Sequence, residues 1–232
     1  MERGLYIAAS GMISEQMRQD AIANDLANAS TPGYKADRVT QASFGDLLLS
    51  NTQTGATIGP LGMGSYADSM VTDLSPQATR VTEEPLDLAI AGEGFFGVQT
   101  PQGLRYTRNG QFTTSPQGTL VDQLGNAVVG RGGGTIQVRA DGTVDARTVG
   151  VFRVNDAVKQ GDNYFQGAAA GQADGQVQTG ALEGSGIDPA RVMVDMIASF
   201  RHYEAGQKVI TTIDDTLRRT STQVGNATGG SV

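Results

Sequence analysis

The chain has 232 residues, which is enough for one or two domains with a buried core. Its 17 basic and 24 acidic side chains give a formal charge of −7, and this argues against a general nucleic-acid-binding protein, because such a protein needs a basic face. The absence of cysteine excludes disulfides and thiolate chemistry, and a single histidine leaves little room for histidine-based catalysis or a histidine-rich metal site.

The N-terminal residues lack the basic start and uninterrupted apolar stretch of a secretory signal, because Ser10 and Gly11 soon interrupt the apolar residues. No run approaches the ~20 apolar residues of a membrane span. We therefore expect a protein that stays in the cytoplasm or leaves it without a cleaved signal peptide.

Residues 1–35 are predicted as a helix followed by a turn. Helical periodicity covers about residues 3–29, and written as heptads it gives a seam that is apolar at both ends and polar in the middle. One seam position holds Leu5, Met12, Gln19 and Leu26, and the other holds Ala8, Glu15, Ile22 and Ala29. This pattern is an imperfect coiled-coil signal.

The helix is expected to end near Ala29 and to be followed by a hinge at Pro32, Gly33 and Tyr34. Proline disfavours the helical conformation of the preceding residue, and glycine accepts a positive φ. Asn24 and Asn28 share one helical face. We expect them to hydrogen-bond a neighbouring helix or the departing chain, the alternative being that Asn28 only satisfies the local helix end.

The middle of the chain is predicted as a β domain over residues 75–160, between two flexible connectors at 36–74 and 161–187. The connectors are rich in small and polar residues, whereas the β domain alternates short β-prone runs with glycine turns every 7–10 residues. Asn109-Gly110 is the strongest hairpin signal, with residues 111–114 as the expected return strand.

The last predicted element is a helix over residues 188–219, begun by Asp188 as the N-cap and Pro189 at the first helical position. Its seam positions are Met196, Tyr203, Ile210 and Leu217, and Val192, Ser199, Gly206 and Ile213. Ser199 and Gly206 would let a partner helix approach closely. The polar tail, residues 220–232, is expected to fray.

The predicted fold class is α+β, with N- and C-terminal helices forming a coiled-coil-like layer and a central antiparallel β-rich domain. Periodicity leaves two alternatives open: the two seams pair within one monomer, or they are buried mainly against other copies.

Candidate chemical sites are weak. Gly92 to Gly97 matches a dinucleotide fingerprint, but the sequence that follows is typical of strand and turn, not of the helix that would receive a pyrophosphate, so we interpret it as a β-turn. The adjacent pairs Glu83-Glu84 and Asp214-Asp215 are interpreted as solvated charges, and His202 as a helix residue. We expect no catalytic residue, no cofactor, no metal site, no small-molecule substrate and no nucleic-acid partner.

Three ordered motifs resemble the bacterial flagellar axial proteins, the rod and hook subunits. Residues 24–35 resemble the N-terminal signature, residues 86–96 and 106–112 the central one, and residues 193–197, 201–205 and 208–210 the C-terminal one. The chain is short for a hook protein, so a basal-body rod subunit is the closer match. Residues 28–34 look more like the proximal-rod type than the distal-rod type.

The resemblance implies a non-enzymatic rod subunit that crosses the periplasm and is exported by the flagellar type III apparatus with an uncleaved N-terminal signal. Its partners would be other copies of itself and other rod and hook-family subunits. The predicted assembly interface consists of seam residues together with Asn24, Asn28 and Phe200, and comprises Leu5, Met12, Ile22, Asn24, Leu26, Asn28, Val192, Met196, Phe200, Tyr203, Ile210, Ile213 and Leu217. The predicted β-domain signature comprises Gly92, Gly94, Phe95, Phe96, Asn109 and Gly110.

Two rival classes stay open at this point. One is a secreted coiled-coil surface or adhesin-like protein unrelated to motility. The other is an enzyme with a β-rich core, which would need a convergent set of titratable residues.

Overall fold

The structure is a computed structural model that describes residues 2–45, 47–50, 57–161 and 163–228. Helix α1 spans Glu2–Ala27 and helix α2 spans Pro189–Thr228. The strands between them are β1 (Asp37–Ser43), β2 (Leu47–Ser50), β3 (Thr57–Leu61), β4 (Ser65–Thr72), β5 (Thr79–Val81), β6 (Leu88–Ala91), β7 (Phe95–Thr100), β8 (Gly103–Thr107), β9 (Thr113–Thr114), β10 (Leu120–Val121), β11 (Ala127–Val129), β12 (Val151–Lys159), β13 (Tyr164–Gln172), β14 (Gln176–Thr179) and β15 (Ala181–Glu183). Two terminal helices and a β-rich body with antiparallel sheets confirm the α+β class.

The chain forms two compact units. The helical unit comprises residues 1–24, 37–71 and 190–232, and the β-rich unit comprises residues 25–36 and 72–189. The last three residues of helix α1, from Asp25 to Ala27, are assigned to the β-rich unit. Within the described ranges, neither helix carries an apolar stretch long enough to cross a membrane.

Within the helical unit, the seams of α1 and α2 contact each other in an antiparallel arrangement. The Ser199 hydroxyl donates a hydrogen bond to the Glu15 carboxylate at 2.7 Å. A Cβ added to Gly206 would lie 2.8 Å from Cγ of Met12, and one added to Gly4 would lie 3.4 Å from Cδ1 of Ile213. The two seams therefore contact each other at these positions within one chain.

Helix α2 is longer than predicted, because it continues to Thr228 instead of ending at residue 219. Its threonines bond back to carbonyls four residues earlier: Thr216 donates to Thr212 at 2.8 Å, and Thr220 donates to Thr216 at 2.8 Å. These bonds satisfy the hydroxyl groups inside the helix, and no proline follows Pro189 to stop it. Residues 220–228, where we expected a frayed tail, are thus part of α2 in the structure, and residues 229–232 lie outside the described residues.

Strands occupy much of both segments that we predicted as flexible connectors. In the first, β1 pairs with β4 and β2 pairs with β3. In the second, β13 joins the main sheet, β14 pairs with β6 and β15 pairs with β5. Small and polar residues form these strands because pairing with other strands, and not local composition, decides whether such a segment is extended. Residues 46, 51–56 and 162, which fall in these predicted connectors, lie outside the described residues.

The β-rich unit is built on an antiparallel sheet in the order β12-β13-β8-β7-β11-β10-β9. Because β12 also pairs with β7, strands β7, β8, β13 and β12 close on one another. Phe95 and Phe96 are neighbours on β7 and point to opposite faces of the sheet. Phe96 packs in one apolar core with Phe112, and Phe95 packs in a second core with Phe165.

The predicted Asn109-Gly110 hairpin is wrong. Neither residue has a positive φ, and β8 pairs with β7 and β13, whereas β9 pairs with β10. The reason is tertiary packing: a Cβ at Gly110 would lie 1.6 Å from the carbonyl oxygen of Leu88, so the glycine serves a close backbone approach.

Candidate assembly surfaces and hinge

A polar group lies at the centre of the α1–α2 contact. The half-buried Glu15 carboxylate accepts the Ser199 hydroxyl, and His202 Nδ1 lies 3.7 Å from it. Gly206, which lies seven residues after Ser199 on α2, contacts Met12 of α1. Ser199 and Gly206 thus occupy the place where the sequence predicted a close helix approach, and Glu15 is their polar counterpart on α1.

All the predicted interface residues lie in the described parts of the chain, so the burial of each is known. Their role in assembly stays a prediction. Asn24 and Phe200 are exposed, and the remaining residues are half-buried in the single chain. On α2 the predicted seam coincides with the less exposed face of the helix. On α1 the burial is broader, because Ser14 and Ala21 are buried on a second face.

Both helices also carry large apolar side chains that are exposed, and sequence reasoning missed most of them. On α1 these are Tyr6, Ile7, Ile13 and Met17, and on α2 they are Met193, Val194, Ile197, Phe200 and Val209. A heptad seam accounts for one face of each helix only. A second apolar row, visible at Tyr6, Ile13 and Met17 with spacings of seven and four, is the signal that could have identified the exposed face of α1.

An apolar groove of about 410 Å³ lies within the helical unit, between α1 and strands β1 and β4. Met17 and Ala21 of α1 form one wall, and Val39 and Met70 of the strands contribute to the other. Met70 is 60% exposed, so this surface is open in the single chain. Asn24 also lines the groove, which gives this predicted contact residue an accessible position.

The predicted hinge residues belong to the β-rich unit and are fixed there by specific contacts. Gly33 has a φ of 65°, as predicted, and a Cβ at this position would lie 2.3 Å from the carbonyl group of Arg108. The Tyr34 hydroxyl donates to Asp25 at 2.9 Å, and Lys159 Nζ lies 3.8 Å from the centre of the Tyr34 ring. The Pro32 carbonyl accepts a hydrogen bond from Asn163.

Asn28 makes the local contacts that we expect of a residue that satisfies the helix end. Helix α1 ends at Ala27, and the Thr31 hydroxyl donates to the Asn28 side-chain oxygen at 3.1 Å. Its carbonyl accepts the Thr31 amide at 3.1 Å and the Ser185 hydroxyl at 3.0 Å. Asn28 therefore stabilises the helix end and the departing chain.

A buried ionic cluster follows the hinge, and sequence reasoning missed it. The Glu183 carboxylate bonds Lys35 Nζ at 2.7 Å through one oxygen and the Arg108 guanidinium at 2.8 Å through the other. Lys35 also donates to the Ser75 carbonyl at 2.6 Å, and the Gln77 amide donates to Glu183 at 2.9 Å. The three charged side chains are almost completely buried.

Burial and ion pairing act in opposite directions on Lys35. Burial lowers the pKa of its ammonium group, because the charged form loses its hydration, while the Glu183 carboxylate raises it through a hydrogen bond and charge attraction. Burial is the larger effect, so the pKa lies below its ordinary value. The carboxylate compensates only in part.

The β-domain signature residues have structural contacts. Gly92 and Gly94 have positive φ values, and strand β7 follows them in place of the helix that a dinucleotide fingerprint requires. The Gly92 carbonyl accepts Arg108 at 2.8 Å, so the turn adjoins the ionic cluster. The Asn109 side chain accepts the Gln111 amide at 3.1 Å and stabilises the path into β9.

Three sequence profiles of flagellar families match successive parts of the chain. "Flagella basal body rod protein" matches residues 5–35, "Flagellar hook protein FlgE/F/G D1 domain" matches residues 89–156, and "Flagellar basal body rod FlgEFG protein C-terminal" matches residues 178–223. The matched ranges contain the hinge, the Phe95-Phe96 strand and the α2 seam, which are the features described above.

Full-length relatives agree with these profiles. The flagellar basal-body rod protein FlgG of Bacillus subtilis (strain 168) is 33% identical over 94% of this chain and 97% of its own length. The flagellar basal-body rod protein FlgF of Salmonella typhimurium (strain LT2) is 33% identical over 93% of this chain and 95% of its own length. FlgG of Caulobacter vibrioides is also 33% identical, over 94% of this chain. With this identity along nearly its whole length, the chain belongs to the family of flagellar basal-body rod proteins.

Proposed function

We propose that this chain is a structural subunit of the bacterial flagellar basal-body rod. In this role it assembles through its terminal helices into the helical drive shaft that transmits torque from motor to hook. The observation that carries the proposal is the similarity to FlgG and FlgF rod proteins, which extends through both helices and the β-rich body. The rival interpretation as a surface or adhesin-like protein has no support from these relatives.

The exposed apolar faces of α1 and α2 support assembly as the mode of action. Large exposed apolar patches mark sites that bind proteins, membranes or ligands, or surfaces prone to aggregation, and a protein-binding site is the one that a rod subunit requires. Each large apolar side chain that becomes buried contributes on the order of 1.5–3 kcal/mol before entropy costs. We infer that the two helices form the coiled-coil-like inner layer of a tube and that the β-rich unit packs outside it.

We also infer the partners of the chain, its location and its lack of catalytic activity. The partners are other copies of this chain, other rod and hook-family subunits, and the flagellar type III export apparatus. The rod position implies a location that crosses the periplasm, reached without a cleaved signal peptide. Residues 28–34 favour the proximal-rod type. A structural role in the family implies that the chain is not an enzyme.

Purified basal bodies test the proposal. Hook–basal bodies from the native host should contain the chain at a constant ratio to other rod subunits, measured by quantitative mass spectrometry after removal of membranes and filaments. A strain that lacks the gene should lose motility, and the wild-type gene should restore it. Absence of the chain from basal bodies of a motile strain would refute the proposal.

A further inference from the structure

The first surface that carries this inference is the exposed face of α2 near its start, here called the α2 patch and defined by Met193, Val194, Ile197 and Phe200. These residues are related by helical spacings of three and four and form an exposed face beside the half-buried seam. Val194 is 65% exposed and Phe200 is 53% exposed. The patch therefore presents several large apolar side chains that the single chain leaves uncovered.

The second surface is the groove between α1 and strands β1 and β4, here called the α1 groove. Its floor and walls are mainly apolar, and Met17 and Met70 are more than half exposed. Asp20 and Asp68 line it, and no lysine or arginine is among its described lining residues. The α1 groove is thus an apolar surface with an acidic border.

The charges beside the α2 patch complement those of the groove. Arg201 lies one helical turn after Ile197, and Lys208 lies two turns after Arg201 on the same side of the helix. Glu204 is the acidic residue that lies between them on this side, so next to the patch the basic side chains outnumber the acidic one. An apolar patch with a basic border fits an apolar groove with an acidic border, and such complementarity favours this pairing over patch against patch or groove against groove.

We propose that the α2 patch of one copy of this chain occupies the α1 groove of the next copy. The two surfaces differ and belong to the same unit, so the contact is heterologous, and a heterologous contact whose rotation does not close produces an open helical assembly. The proposal rests on the proposed rod function and adds to it the pair of surfaces that meet. Met17 and Asp20 on one copy lie against Ile197 and Arg201 on the other.

Cysteine cross-linking tests this contact directly, because the chain contains no cysteine of its own. A chain carrying both Met17→Cys and Ile197→Cys is expressed in a strain that lacks its own copy, and basal bodies are oxidised with copper phenanthroline. A ladder of covalent dimers, trimers and higher oligomers is expected on non-reducing gels and should collapse on reduction. Each single variant should stay monomeric.

The control variant combines Met17→Cys with Leu124→Cys, a residue of the β-rich unit that is 65% exposed. It should give no ladder. If the Met17→Cys, Ile197→Cys chain is present in basal bodies but gives no ladder, the contact is refuted while the rod function stands. If the wild-type chain is itself absent from basal bodies, the rod function fails.

A charge-exchange experiment decides the question even if the double-cysteine chain does not assemble. Asp20→Lys alone and Arg201→Glu alone should each lower incorporation into basal bodies at least tenfold, since each places like charges at the contact. The double variant should recover at least half of wild-type incorporation. A double variant no better than either single variant would overturn the proposal.

Discussion

At the scale of single residues, Glu183 connects three parts of the β-rich unit that are far apart in sequence. Its carboxylate binds Lys35 after the hinge and Arg108 after β8, while the Gln77 amide donates to it as well. Removing one member of a buried ion pair leaves an uncompensated charge, and this costs more than the pair itself contributes. The ionic cluster should therefore determine how firmly the hinge is held to the β-rich unit.

Glu183→Gln should lower the free energy of unfolding of the β-rich unit by about 3–5 kcal/mol, because two buried cations lose their common carboxylate. Urea unfolding followed by near-ultraviolet circular dichroism measures this, since aromatic rings lie in both cores of the unit. The exposed Glu93→Gln is the matched control and should stay within about 0.5 kcal/mol of the wild type. Equal stabilities of the two variants would contradict the assigned role of the cluster.

The lowered pKa of Lys35 predicts a specific pH dependence. Below the folded-state pKa the ammonium is protonated in both states, so the folded state bears the full cost of burying the charge. Between that pKa and the unfolded value of about 10.4, the unfolded state binds more protons, and the free energy of unfolding rises with pH.

The measurement is the difference in unfolding free energy between the wild type and Lys35→Met, taken at pH 7 and at pH 10.5. The wild type should gain stability relative to the variant as the pH rises. The difference between the two proteins removes the common effect of other groups, including Tyr106, whose pKa burial raises. A relative loss of wild-type stability at high pH would mean that ion pairing, not burial, dominates at Lys35.

For single residues, the sequence predicted backbone conformation better than it predicted the partners of side chains. Gly33 was expected to accept a positive φ because glycine has no Cβ, and its φ is 65°. Lys35 and Arg108 stand next to predicted turns, where a charged residue is usually solvated. Their burial depends on Glu183, which lies in a segment whose composition indicated a connector, so no local pattern could pair the three.

At the scale of elements, the heptad seam of α2 is the pattern that sequence predicted best. Its positions coincide with the less exposed side of the helix, and Ser199 and Gly206 contact α1. The Asn109-Gly110 hairpin was predicted from the strongest hairpin signal in the chain, and it is absent. Instead, the backbone of Leu88 packs directly against Gly110, at a distance that leaves no room for a Cβ. Helical periodicity predicts a buried helix face from many residues. A turn signal rests on two residues, and tertiary contacts easily override it.

Tyr203→Asp should block rod assembly without unfolding the β-rich unit. Tyr203 is half-buried on the α2 seam, and a carboxylate there loses hydration when the seam is covered. Incorporation into basal bodies should fall at least tenfold, which corresponds to about 1.4 kcal/mol. Quantitative mass spectrometry of purified basal bodies measures it.

Gln207→Asp is the matched control for this variant, because Gln207 is exposed on the same helix. It should assemble like the wild type. The midpoint of urea unfolding of the β-rich unit, followed by near-ultraviolet circular dichroism, should be the same in both variants as in the wild type. Normal motility of Tyr203→Asp would count against the seam as part of the assembly interface.

At the scale of the whole molecule, the two units carry different features. The helical unit carries the exposed apolar faces, and the β-rich unit carries the two closed cores, the hinge contacts and the ionic cluster. The α+β class and the family were predictable because both ends and the centre carry recognisable motifs. The strands in the predicted connectors were not, because most of their residues are small or polar and leave no local β pattern.

The most direct test of the rod assignment is electron microscopy of basal bodies purified from a strain that lacks this chain. We predict a missing or shortened rod, loss of motility, and restoration of both by the wild-type gene. A complete rod of normal length in the absence of the chain would contradict the assignment.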